Sequence, residues 1–361
     1  MKPYIPELLP LQSINWESLV PLIGKANAEL ALYRGRLQGI VNPEVFLSPL
    51  TTQEAVLSSR IEGTEATLVE VLEYEASKQA VDKKGDIHEI INYRTSLQYA
   101  VDDLKTRPIS LNLIRGLHRI LMDSVRGRDK ARGEFRTSQN YIGKPGSPIE
   151  QASYVPPPPE RLMEFLSNLE GYVHYEEKDR LVQLAIVHAQ FEIIHPFLDG
   201  NGRVGRILIP VFLIEKGLLD SPTFYISAYL EANRDVYVQR LHDISEDNGW
   251  HEWIVFFLNA VIEQAKSNNQ RAKAVVDLYE QMKEEISLTL KSKFSLQVLD
   301  AMFERPVFTT ADFVQRSQIP KRSALRILSK LRGEKVVTVI GQRSGRKPGV
   351  FVFRKLMDIV G

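Results

Sequence analysis

The sequence predicts a mainly α-helical protein organised in three blocks, and three observations carry that prediction. Apolar residues recur at three- and four-residue spacing over long stretches, as in Leu19, Leu22, Ile23 and Ala26 and again in Leu68, Val71 and Leu72. Strand-like runs are confined to Val336 to Ile340 and Val350 to Phe353, near the end of the chain. The charge is also unevenly spread. From Gln318 onward there are 11 basic residues against Glu334 and Asp358, a local charge of +9 that leaves −8 for the rest of a chain whose total is +1.

Composition excludes several classes of function. With 361 residues, 43% hydrophobic and 25% charged, the chain has the make-up of a soluble globular protein of two or three domains. It has no cysteine, so disulfides, thiolate metal sites and cysteine nucleophiles are ruled out, and catalysis must use oxygen or imidazole groups. No run of some 18 apolar residues suggests a membrane span, and Met1-Lys2-Pro3-Tyr4 does not open a signal peptide. The expected location is the cytoplasm.

The first block, residues 1–105, reads as an N-terminal helical region. The second, residues 106–265, opens with Ser110 as N-cap of a helix from Leu111 to Met122. It also contains the irregular stretch Gly133 to Pro159, with Gly143, Pro145, Gly146 and Pro148 at a hairpin turn and Pro156 to Pro159 as a stiff connector. A helix is expected within Ser227 to Ile244. The third block, residues 266–361, is a linker helix to about Lys291, then helices Leu296 to Phe303, Thr310 to Arg316 and Pro320 to Arg332, then two strands about a Gly341 to Gly349 turn. That order resembles a winged helix-turn-helix. Its basic residues fall on the Pro320 to Arg332 helix and the Arg343 to Lys347 loop, making DNA a candidate partner, with protein contact the alternative.

The chemistry is concentrated in His195-Pro196-Phe197-Leu198-Asp199-Gly200-Asn201-Gly202-Arg203-Val204-Gly205-Arg206. A glycine-rich loop that opens a helix exposes unpaired backbone N–H groups, and the helix dipole favours an anion there. Arg203 and Arg206, three apart, are expected to project toward that same anion, for which phosphate is the natural ligand. Asp199 suits a Mg²⁺ ion bridging phosphates, and His195 can take a proton near neutral pH. The string Gly200 to Gly205 also fits the dinucleotide fingerprint G-x-G-x-x-G, but helical spacing in Leu181 to Ile194 leaves it without the required strand. His188 lacks further ligand candidates and is read as a packed core histidine.

These residues match the Fic-family motif H-P-F-x-D/E-G-N-G-R-x-x-R at every defined position, and the chain resembles that family over most of residues 50 to 265. The resemblance implies a helical Fic (Fido) core with a β-hairpin flap that transfers AMP from ATP to a Ser, Thr or Tyr hydroxyl of a target protein. In that reading His195 is the general base and Asp199 the Mg²⁺ ligand. Gly200, Asn201, Gly202 and Arg203 cradle phosphate through backbone amides, with Val204, Gly205 and Arg206 completing the nucleotide segment. The flap, following Gly133-Glu134-Phe135-Arg136, places Asn140, Tyr141, Ile142 and Gly143 against the target.

Ser58-Ser59-Arg60-Ile61-Glu62-Gly63 is similar to the family's inhibitory motif S/T-x-x-x-E-G/N. Ser58 and Glu62 share a helical face, Gly63 suits the helix end, and the resemblance implies that Glu62 pairs with Arg206. Tyr229, Asn233 and Tyr237 are four apart; the family's nucleotide-base pocket would use Asn233 and Tyr237, whereas tyrosines at this spacing also suit a core. The family further implies a homodimer. Other expectations remain open: removal of AMP, transfer of another phosphate-containing group, or a nucleotide-sensing DNA-binding transcription regulator.

Overall fold

The computed structural model describes residues 2–40, 47–77, 83–123, 131–143, 146, 148–340 and 349–361. The N-terminal region contains α1 (Trp16–Gln38), α2 (Ser48–Ile61), α3 (Leu68–Ser77) and α4 (Lys84–Leu104). The central region contains α5 (Leu111–Leu121), α6 (Leu162–Val173), α7 (Arg180–Ile194), α8 (Asn201–Glu215), α9 (Ser227–Ala232), α10 (Arg234–Asp247) and the 41-residue α11 (Trp250–Leu290). The C-terminal region runs α12 (Ser295–Glu304), β1 (Val307–Thr309), α13 (Thr310–Ser317), α14 (Lys321–Gly333), β2 (Thr338–Ile340), β3 (Val350–Val352) and α15 (Arg354–Val360).

Local signals explain most of these boundaries. Asn15 caps α1 by accepting from Ser18 N, Ser110 caps α5 by accepting from Leu113 N, and Asp179 caps α7 by accepting from Leu181 N and Val182 N. The helix predicted within Ser227 to Ile244 is two helices. Asn233 breaks it at φ −116° and ψ 31°, with its side-chain amide turned back on Tyr229 O at 2.9 Å. A short polar side chain that bonds its own backbone competes with helix continuation in this way. Residue 265, where the linker block was placed, lies inside the unbroken α11.

Helix α7 is the centre of the molecule: nearly all its side chains are buried, as expected for a helix with neighbours on every side. It packs against α6, α8 and α11, while α1 lies along α11 through Leu19, Ala26, Leu30, Tyr33 and Leu37. Trp253 ties α11 to α7, its indole N–H donating to Ala185 O at 2.8 Å. A 4-residue spacing of core positions thus becomes a layered helical body.

The C-terminal strands form one antiparallel sheet in the order β1-β3-β2, with Val307 opposite Val352 and Thr338 also opposite Val352. Strand β1 was not predicted, because three consecutive buried residues between helices carry no alternation to read. The Arg343 to Lys347 loop lies outside the described residues. This unit does not stand apart from the rest: β1 and β3 pack on α3, and α15 packs on α2 and α11. Thr309 Oγ1 donates to Ala76 O at 3.2 Å, and Lys355 Nζ to Glu285 Oε2 at 2.9 Å.

Trp253 is completely buried and bonded. Trp253→Ala is therefore expected to cost about 3–5 kcal/mol, read as a lowered denaturant midpoint.

Candidate active site

The motif loop links α7 to α8. His195 ends α7 in the left-handed region at φ 48°, a conformation that costs a residue with a side chain some strain, so the surroundings must hold it. They do so from several directions. Arg136 Nε donates to His195 O at 2.9 Å and Arg136 N to Pro196 O at 2.9 Å, while Asn140 Nδ2 donates to Phe197 O at 2.9 Å. Asn201 closes the loop on itself, accepting from Phe197 N at 2.8 Å and donating back to Phe197 O at 2.9 Å. Gly200, at φ 78°, supplies the second left-handed residue and lets α8 start.

His118 is the brace that sequence reading missed. Its Nδ1 accepts from Gly133 N at 2.9 Å, so Nε2 carries the proton that it donates to Asp199 O at 3.0 Å. Its ring stacks on Phe197 at 3.8 Å, and burial pushes its pKa down to about 4, keeping it neutral. The only signal was a polar residue in the buried stripe of α5, alongside Leu113, Ile114, Leu117 and Leu121.

On the other side of the cleft, Arg206 is 1% exposed and Glu62 40% exposed, and the two form an ion pair at 2.7 Å. Arg206 Nε also donates to Ser58 Oγ at 2.8 Å, and its Nη2 to Ser58 O at 2.9 Å. Glu62 is the last residue of the α2 turn and Gly63 follows at φ 92°, so the helix ends where its carboxylate meets the start of α8. Gly202 makes that approach feasible: a Cβ there would lie 2.3 Å from Glu62 Oε1.

Two expectations need correction. Arg203 does not share an anion with Arg206: it is held by Glu89 at 3.0 Å, with Asp199 at 3.7 Å, because α4 and α5 pack against its side of α8. Only its backbone N–H remains at the helix start. Val204 is fully buried, and Gly205 is pressed against Glu192 and Phe191 with its carbonyl accepting from His188 Nδ1, so neither faces the cleft. Asn233 stands at the α9–α10 break with its side-chain amide on Tyr229 O. Tyr237 does line the cleft, and its hydroxyl lies 3.0 Å from His188 Nε2. His188 is thus a satisfied core histidine, as read.

The cleft itself measures about 530 Å³. Its inner end is polar, with Glu62, Glu192, His195, Gly202 and Arg206; its outer end lies between the flap residues Ile142, Ser153 and Tyr154 and the α10 residues Val238, Leu241 and His242. The flap closes on itself through one antiparallel bridge, Ile142 with Tyr154, and leaves Tyr141 39% and Ile142 41% exposed. Gly143 is exposed at the same edge, and Pro145 lies outside the described residues. Asp199 presents a carboxylate that is 45% exposed beside the start of α8. Among the described residues no group of three His, Asp or Glu is placed to hold a metal ion.

Burial pushes His195 down to about 4, so its ring is neutral at physiological pH. Its Nδ1 faces Glu192 O at 3.2 Å, a carbonyl that can only accept, so Nε2 is left with the lone pair. Burial works against ionisation of Glu62, yet the Arg206 guanidinium outweighs it and holds the carboxyl below its ordinary range. Burial raises Glu192 to about 8 and Glu54, which accepts from Ser227, to about 7. Sequence reading found neither.

Two outcomes are expected. His118→Ala should lower any activity of the cleft on the order of 10²-fold by loosening the loop, measured as kcat with unfolding monitored in parallel. Glu54 and Glu192 both have folded pKa values above the unfolded value of 4.5, so their stabilising contribution is full below that pH and is lost as pH rises through 7 and 8. Above pH 7, where the buried His118, His188 and His195 are neutral in the folded and unfolded chain alike, the Tm of the wild type should fall toward pH 9, and the Glu54→Gln, Glu192→Gln double variant should show a shallower fall.

Comparison with known proteins agrees with this geometry. Residues 20–102 match the Fic/DOC family N-terminal region, and residues 108–213 match the Fic/DOC family. A probable protein adenylyltransferase of Aquifex aeolicus is 31% identical over 205 residues, covering 54% of this chain and 59% of its own. A protein adenylyltransferase Fic of Drosophila grimshawi is 32% identical over 166 residues, covering 44% of this chain and 32% of its own. The chain therefore spans about a third to three-fifths of the length of these relatives. A Fic family protein from Desulfovibrio desulfuricans G20 superposes with a TM-score of 0.60 at 19% identity, covering 96% of this chain and 98% of that one. A Fic domain containing signaling protein from Bacteroides thetaiotaomicron does so at 0.54 and 18% identity, over 70% and 97%. By motif, matched regions and fold, the chain belongs to the Fic/DOC family.

Proposed function

We propose that the protein transfers AMP from ATP to a Ser, Thr or Tyr hydroxyl of a protein, itself included, and that Glu62 restrains the reaction. The observation that carries this is the Glu62–Arg206 pair at 2.7 Å, seated over Gly202 in the cleft that also holds His195. The relatives named protein adenylyltransferases support the same reaction class.

In this mechanism the triphosphate lies at the start of α8, where the N–H groups of Gly202 and Arg203 face an anion and the helix dipole favours it. The base occupies the outer, more apolar end of the cleft. An incoming hydroxyl, held along the flap edge at Asn140 to Gly143, gives its proton to His195 Nε2 as its oxygen bonds the α-phosphorus. The bond from that phosphorus to the bridging oxygen breaks, and pyrophosphate leaves with the electron pair. Asp199 would hold Mg²⁺, which supplies charge neutralisation on the phosphates. Arg206 supplies a fixed positive charge for the terminal phosphate, and positioning by such groups dominates phosphoryl-type transfer.

Glu62 opposes this in two ways. Its carboxylate occupies the guanidinium a terminal phosphate would use, and it brings negative charge to the mouth of the anion site. A phosphate cannot take Arg206 until Glu62 withdraws.

With α-labelled ATP and Mg²⁺, Glu62→Gly should raise covalent label on protein on the order of 10-fold or more. His195→Ala should lower it by about 10²–10⁴-fold. Label that stays level in the first variant would remove the inhibitory assignment. Label carried from the γ-position instead would replace AMP transfer with transfer of a different phosphate group.

A further inference from the structure

Helix α14 divides cleanly into two halves. Ala324, Ile327, Leu328 and Leu331 are buried along one side, against the small C-terminal core. Everything charged lies on the other: Lys321, Arg322, Arg326, Lys330 and Arg332 are exposed, and the helix has no acidic residue. None of these five cations has an ion-pair partner among the described residues. Such concentration is uncommon, because like charges on one helix repel and a plain solvated face mixes signs.

The order around the helix narrows the choice of partner. At 3.6 residues per turn, Arg326 and Lys330 fall along one edge of the exposed half, and Lys321 and Arg332 along the other. Between them lie Arg322, Ser329 and Leu325, the last 46% exposed. Two rows of cations flanking a central strip of one arginine, one serine and one leucine match two phosphate rows flanking base edges, which an arginine can read. The helix is 13 residues long, roughly 20 Å, and an α-helix about 10–12 Å across fits a major groove about 12 Å wide. The preceding helix α13 packs on α14 across a short turn in which Gln318 is left-handed at φ 54° and Ile319 is 1% exposed, so α14 projects from a rigid helix-turn-helix corner.

We infer that the exposed face of α14 is a binding surface for double-stranded DNA, entering the major groove with Lys321, Arg326, Lys330 and Arg332 on the phosphates and Arg322, Leu325 and Ser329 toward the bases. An acidic protein segment would satisfy charge alone and would not require cations on two parallel edges. This surface is independent of the nucleotide cleft, and its failure would leave the AMP-transfer reading intact.

The test uses the full-length protein and a fluorescently labelled duplex of about 25 base pairs, with binding followed by anisotropy from 50 to 200 mM salt. Four phosphate contacts predict an affinity that falls on the order of 10²-fold across that range. Arg322→Glu, Arg326→Glu and Lys330→Glu combined should abolish binding while leaving Tm and AMP labelling unchanged, since all three side chains are exposed and remote from the cleft. No binding at 50 mM salt would overturn the proposal, as would binding that the triple variant keeps. Equal affinity for poly-glutamate of matched charge would also overturn it, reassigning the face to acidic protein.

Discussion

The buried guanidinium of Arg206 is the constraint to which the rest of the site answers. An arginine cannot shed its charge, so one that is 1% exposed must have an anion beside it. Glu62 is that anion here, with Ser58 filling two more donor directions. The same requirement would be met by a phosphate. In the proposed reaction a single charge would make the N-terminal helix and a nucleotide alternatives to each other at Arg206.

The turn that carries Glu62 is moored on both sides. Glu89 accepts from Arg203 at 3.0 Å and from Thr64 at 3.3 Å, and Asp86 accepts from Glu65 N at 3.0 Å, so α4 holds the turn against α8. From the opposite direction α15 packs on α2, and β1 on α3. The turn that carries Glu62 is therefore part of the packed body and not a loose arm. Its resting position is over-determined by contacts on the catalytic core and on the C-terminal unit together.

The catalytic loop obeys a related logic. His195 is held in a strained conformation by bonds from Arg136, and the loop around it is completed by Asn140, Asn201 and His118. These donors come from the flap base, α8 and α5. Residues beside the flap thus also fix the loop that carries His195.

Much of this was legible beforehand. Helical periodicity placed α5, α7, α13 and α14 to within a residue or two, and the glycine, histidine and arginine spacing of residues 195–206 located the site, since loop and helix-start chemistry is local. Spacing also placed Ser58, Glu62 and Gly63 on one helix end. Residues distant in sequence were another matter. Nothing local shows that Arg203 turns to Glu89, that Val204 and Gly205 face the core, that His118 bridges Gly133 and Asp199, or that Asn233 ends one helix and starts another. Sequence determines which residue types sit one turn apart; only packing decides which neighbour each side of a helix meets, and so which of two arginines three residues apart reaches the cleft.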